Sequence, residues 1–186
     1  MHIKPSASIR QNYNKIADLC KDSGEPVYLT KNGEVTFFSS APMEDIKADN
    51  NQVLSIIDAA TEEIAIVILM KSFMFKKALM QEHFNENYVE SDKYPKAIFK
   101  GDVINFDSLK ESATNVNVKG TITIHGVTKE ITIPASFTKT SESILVKGEF
   151  YLKVADFNIE IPAIVVKNIA KKIKVSFEFN HTPYKK

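Results

Sequence analysis

Apolar and polar positions follow two regimes that meet near residue 26. Before that point Ile9, Tyr13, Ile16, Ala17, Leu19 and Cys20 recur at helical spacing, which predicts one amphipathic helix over residues 8–21. Ser6 or Ser8 can cap its start, and Gly24 with Pro26 can end it. Residues 2–4 ahead of it read as a short strand that stops at Pro5. After residue 26 the period falls to two. Segments 27–30, 33–39, 45–49 and 53–58 are short and separated by Asn-Gly, Ala-Pro and Asp-Asn-Asn turns. Segments 63–71, 96–106, 115–125, 130–138, 143–154 and 172–180 follow. In one of them Val116, Val118, Ile122 and Ile124 share a face, with Asn117, Lys119, Thr121 and Thr123 on the other. Ile173, Val175, Phe177 and Phe179 alternate in the same way with Lys174, Ser176, Glu178 and Asn180. Such alternation makes a sheet with one apolar face.

About eight strands joined mostly by short turns predict an antiparallel barrel or sandwich. The face assignment places Val35, Val53, Ile66, Phe99, Val118, Ile122, Ile133, Phe150 and Val175 on strands with inward side chains. One interruption, residues 72–91, contains a helical pattern at 78–84 that would cross between strands. A second short helix is expected at 162–170. No internal repeat of fixed period is present.

Composition agrees with a buried core: 186 residues, 44% hydrophobic and 25% charged. Lys+Arg 24 against Asp+Glu 23 leaves a net charge of +1, so no whole-chain argument points to a polyanion partner. The single cysteine, Cys20, excludes an intramolecular disulfide and a Cys-rich metal site, and its place on the apolar helix face reads as a small buried hydrophobe. The most apolar run, residues 64–70, is far shorter than the about 20 residues of a spanning helix, so no transmembrane segment is expected. The first residues lack the apolar stretch of a secretory signal, and the chain as written is expected to stay in the compartment where it is made.

Candidate chemistry is sparse. His2, His83, His125 and His181 are far apart, and Glu82, His83 and Glu86 read as a solvated helix face because a metal needs three or four converging ligands. No phosphate loop, nucleophile elbow or paired-cysteine site occurs. His125-Gly126 lies between two alternating strands and predicts a hairpin, with Gly126 supplying unusual dihedrals and His125 bonding locally. The alternative is a polar group facing a ligand at a barrel mouth. The reading is therefore a binding protein, not an enzyme, without catalytic residues or metal. The more informative feature is the set Phe73, Phe75, Phe84 and Tyr88 around the interrupting helix, with Met70, Met74 and Met80 beside it. Each alone is ordinary core. Together, thioethers and rings suit a pocket for a long, featureless apolar chain.

Four stretches sharpen this picture: GEVTFFSSAPMEDIKADNNQV, KSFMFKKALMQEHFNENYVESDKYPKAIFKG, GTITIHGVTKEITIP and LKVADFNIEIPAIVVKNIA. In this order and spacing they closely resemble the YceI-like family of polyisoprenoid-binding, lipocalin-like barrels. The resemblance implies an eight-stranded antiparallel barrel with a helix across it, holding an isoprenoid lipid such as a quinone tail or polyprenol in an apolar tunnel. Relatives of that kind are usually exported and periplasmic. On this reading the tunnel would be lined by Phe73, Phe75, Met80, Phe84 and Tyr88 from the interrupting segment. The strand faces and a later turn would add Phe99, Val118, Ile122, Phe150 and Phe157.

The opening stretch IKPSASIRQNYNKIADLCKDSGEPVYLTKNGE instead resembles the start of a Phd/YefM-type antitoxin, with Arg10 as the DNA contact that resemblance would imply. The two resemblances overlap at Thr30-Lys31-Asn32-Gly33, which both use as a hairpin. Two units are thus expected, an antitoxin-like strand and helix over 1–26 and the barrel over 27–182, joined as a fusion or a mis-joined gene. Lys4, Arg10, Lys15, Lys21 and Lys31 against Asp18, Asp22, Glu25 and Glu34 give 5 − 4 = +1, a weak basis for nucleic-acid binding. A DNA-binding regulator acting through residues 1–34 is accordingly the runner-up function. The 1–26 helix is expected to dock its apolar face on the barrel or to form a homodimer through it.

Overall fold

Two-residue periodicity becomes eight long strands in the computed structural model, which describes residues 27–40, 44–162 and 171–184. The strands are β1 (Val27–Ser39), β2 (Ile46–Asp58), β3 (Glu63–Leu69), a two-residue β4 (Met74–Phe75), β5 (Lys96–Val103), β6 (Thr114–Ile124), β7 (Val127–Lys139), β8 (Ile144–Lys153) and β9 (Lys172–Pro183). Every pairing is antiparallel, in the order β1-β9-β8-β7-β6-β5-β3-β2, and β2 pairs back onto β1. The sheet is therefore a closed eight-stranded barrel, with β4 attached to β2 through Ala48↔Phe75. Closure removes the full-length free edges of an open sheet. The interrupting segment forms helix α1 (Ala78–His83), which runs into a π-helical turn, Phe84–Tyr88, closed by Val89 N–H donating to Phe84 O at 2.9 Å.

Two turns expected from the sequence are bulges instead. Segments 27–30 and 33–39 are one strand, as are 45–49 and 53–58. The pairing of β1 with β2 slips between Thr30 and Gly33 and again between Gly33 and Val35. Asn-Gly here does not reverse the chain; it adds residues to a strand that bends. Gly33 is required by contact, since a Cβ there would lie 2.4 Å from Cδ1 of Phe179. Asn50, fully buried, holds the irregular part of β2: its Nδ2 donates to Leu69 O at 2.9 Å and its Oδ1 accepts from Gln52 N–H at 2.9 Å.

All nine inward positions named from the sequence lie on strands. Val35, Val53, Phe99, Val118, Ile122 and Ile133 are buried, whereas Ile66, Phe150 and Val175 are half-buried. These three also point inward, because Ile66 is paired with Phe99 and Phe150 with Val175, and what they touch is a hollow. One end of the barrel is filled, with Phe106, Phe137, Phe179, Ile57 and Ile144 almost without exposed surface. His181 is buried among them. Its Nδ1–H donates to Ile144 O at 3.1 Å, which leaves Nε2 to accept from Ser55 Oγ at 2.8 Å. Burial pushes its pKa down to about 4, only partly opposed by the bond to Ile144, so the ring is neutral. The expected strand at 2–4, the helix at 8–21 and Arg10 lie outside the described residues, as does most of the helix expected at 162–170.

Candidate functional site

Helix α1 crosses the end of the barrel opposite His181. Met80 and Phe84, four residues apart, share the face turned to the barrel, and Leu79 faces outward with 61% exposure. Lys77, just before the helix, forms an ion pair with Glu44, and Phe75 N–H donates to Gln81 Oε1 at 3.3 Å. Beneath the helix four rings meet. Phe37 is stacked on Phe84 at 5.3 Å and lies 5.3 Å from Phe73 and 5.4 Å from Phe75. Phe84 lies 5.6 Å from Phe73 and 5.0 Å from Phe75. These separations are those at which aromatic pairs attract.

Three of these rings, Phe37, Phe75 and Phe84, line the first of three hollows that follow one another down the barrel. The mouth, about 210 Å³, is lined by Phe37, Phe75, Met80, Phe84 and Tyr88, with Glu44 and His83 at its rim. Burial raises the Tyr88 phenol above its ordinary pKa. Phe37, Phe84, Val89 and Ile173 also line a second hollow of about 120 Å³, together with Phe73 and Phe157. This upper chamber shares Val35, Ile68, Ile122, Phe150 and Val175 with a lower chamber of about 50 Å³, to which Phe99 and Val118 belong. Only apolar side chains line the two chambers. Shared lining residues set the three hollows in series, from the helix to the middle of the barrel.

The ten residues named from the sequence thus sort by depth: Phe75, Met80, Phe84 and Tyr88 at the mouth, Phe73 and Phe157 in the upper chamber, Phe99 and Val118 in the lower, and Ile122 and Phe150 in the wall of both chambers. Phe37 was not among them, though it, like Phe84, touches the other three rings. It lies two residues from Val35 on β1, and so on the same face of the sheet. Val154 and Ile159, which also line the mouth, lie in and after the turn that follows β8 and carry no local signal, whereas Ile173 beside them belongs to the alternating apolar face of β9.

His125 corrects a local reading. It and Gly126 have φ of 51° and 75°, the two positive values of a tight hairpin turn joining β6 and β7. Its bonds are not local: Nε2 lies 2.7 Å from Glu90 Oε2 and Nδ1 3.0 Å from Phe157 O. His125 therefore ties the segment after the π-turn to the hairpin and to the turn after β8. No group of three or more His, Cys, Asp or Glu side chains that could hold a metal converges among the described residues. No helix among them is long and apolar enough to cross a membrane.

Comparison with known proteins agrees with this geometry. A polyisoprenoid-binding domain from Saccharophagus degradans implicated in plant cell wall breakdown has a similar structure, with TM-score 0.74 and 18% identity over 85% of this chain and 98% of that one. Burkholderia cenocepacia BcnA matches with TM-score 0.66 and 17% identity over 80% of this chain and 95% of its own. A Campylobacter jejuni YceI protein matches with TM-score 0.60 and 16% identity over 79% and 90%. No curated protein sequence matches. The model of the YceI-like domain matches residues 30–181, and the chain belongs to the YceI-like family.

Proposed function

We propose that this protein holds an isoprenoid lipid, such as a quinone tail or a polyprenol, with the chain running from the mouth into the upper and lower chambers. The observation that carries the reading is the series of adjoining hollows, walled below the mouth by apolar side chains alone. A ligand of that kind needs no polar constellation. Each buried CH₂ contributes about 0.8 kcal/mol, so ten isoprenoid carbons supply roughly 8 kcal/mol before ordering costs. Walls of Ile, Val and Phe suit the branched methyls of an isoprenoid chemically. That a polyisoprenoid-binding domain shares the fold supports the choice among lipids. Binding without catalysis is part of the same reading, since the chambers present no nucleophile or acid–base pair to a bound chain.

Organic extraction of the purified protein followed by mass spectrometry tests this. A stoichiometric isoprenoid in the extract is the expected result. Protein that carries none, and that fails to take up a polyprenol or ubiquinone from mixed micelles, would refute it.

A further inference from the structure

The wall of the barrel is not sealed all round. β7 pairs with β8 only from Ala135↔Gly148 to Lys139↔Ile144, although both strands continue toward the helix end. Residues 127–134 of β7 keep their full pairing with β6, and residues 149–153 of β8 keep theirs with β9. The ladder stops at Pro134 for a chemical reason. Counting from the closing hairpin pair Ile124↔Val127, alternate residues of β7 direct their backbone groups to β6, and those between, Pro134 included, direct them to β8. Proline has no N–H to donate there.

The opened seam holds a cleft of about 340 Å³. Its floor is Ile122, Leu152 and Phe157, which are also walls of the upper chamber. Its rim carries Lys129, Lys153 and Lys172. Lys153 and Lys172 are directly opposed across β8 and β9, an arrangement that like charges disfavour. Glu130 and Asp156 also line the cleft, three cations against two anions, yet no ion pair joins any of the five to a described residue.

We propose that this seam is a side portal that holds the anionic head group of an amphiphile between Lys129, Lys153 and Lys172 while its tail passes over Phe157 into the upper chamber. It rests on the reading of the barrel as a lipid holder and adds where the head group sits and what charge it bears. Two opposed, unpaired lysines beside an apolar floor match a group with a concentrated negative charge and a hydrocarbon attached.

The test uses the full chain stripped of lipid and three probes: dodecyl phosphate, dodecanol and inorganic phosphate. Dodecyl phosphate should bind roughly tenfold or more tighter than dodecanol, the effect expected of charge-assisted bonds. The triple substitution Lys129→Gln, Lys153→Gln, Lys172→Gln should erase that preference and leave dodecanol affinity unchanged, which also shows the variant folded. Should the triple variant not fold, each single substitution should lower the preference. Equal affinities for the two amphiphiles overturn the proposal alone. A preference that survives these substitutions and disappears in Lys77→Gln puts the head group over the helix and overturns it too. Inorganic phosphate binding as tightly as dodecyl phosphate would make the seam a free-anion site, against the proposal. If dodecanol fails to bind the parent protein, the lipid reading of the barrel falls and this proposal with it.

Discussion

Replacing Phe84 by glutamate should cost lipid retention far more than it costs folding. The ring touches Phe37, Phe73 and Phe75 at 5.0–5.6 Å and separates the mouth from the upper chamber. Each such pair contributes roughly 0.5–1.5 kcal/mol beyond area. Phe84 is only half-buried, and Phe37 keeps its contacts with Phe73 and Phe75, so the loss of stability should be about 1–3 kcal/mol. In the empty protein the new carboxylate can turn to water at the mouth. With a lipid chain in place it is covered, and Lys77 already serves Glu44. An uncompensated charge costs several kcal/mol; taking about 4 kcal/mol, the affinity falls about a thousandfold. The assay is the lipid recovered per mole of protein, beside a urea midpoint for each variant. Phe84→Leu keeps an apolar contact and should hold most of the lipid. The reasoning fails if folded Phe84→Glu retains lipid at the parental level, or if Phe84→Leu loses as much as Phe84→Glu.

Two further perturbations address the scaffold. His181 has a pKa lowered from 6.5 to about 4 in the folded state, so the unfolded chain binds more protons between those values. Stability from this group is present above pH 6.5 and falls as pH drops, by about 1 kcal/mol at pH 5.5 and about 3 kcal/mol at pH 4; urea midpoints that stay level from pH 7.5 to 5 would show that His181 is not buried as a neutral ring. At Gly148 an added Cβ would lie 2.5 Å from Phe177 Cζ and 2.8 Å from Pro134 O, so Gly148→Ala should cost about 1–3 kcal/mol in the same measurement, and an unchanged midpoint would rule out the close approach at the foot of the seam.

The barrel was legible because inward and outward residues alternate without error through β6 and β9, and because residues 78–84 change period in the middle of a strand series. Its bulges were not. Asn32-Gly33 and Asp49-Asn50-Asn51 have turn chemistry, and only the pairing of β1 with β2 on both sides of them shows that the strand runs on. His181 was read merely as one of four scattered histidines. Its role depends on Ser55, which lies 126 positions away in sequence and is brought to it by barrel closure. Phe73, Phe75, Phe84 and Tyr88 could be grouped because they are close in sequence. Phe37 joins them from β1 through tertiary contact. The seam had a written cue in Pro134, but a proline inside an alternating run does not say which neighbouring strand loses its partner. That required the register of β7 against β6.

The same chain makes one end of the barrel solid and the other hollow, and the difference lies in which elements supply the large side chains. At the solid end Phe137 and Phe179 come from the strands themselves and flank Val146 in register, with Phe106 from the turn after β5, and His181 is satisfied by Ser55 and Ile144 O. At the helix end strand residues such as Ile66, Ile68 and Val175 are too short to meet, and the four rings come from β1, from residues 73–75 and from the start of the π-turn. Those rings pack on one another at the rim, so the axis stays open. Helix α1 has six residues, well below the about 12–15 needed for even marginal independent helicity. Its hold on the barrel comes from Met80, Phe84 and the Lys77–Glu44 pair. An exposed pair contributes little, about 0–1 kcal/mol. Most of that hold is therefore apolar contact at the mouth, the same surface a lipid chain would occupy. A lipid chain held there would replace the contacts it displaced, so on the proposed reading the helix would yield at small net cost while the strands beneath it kept their ladder.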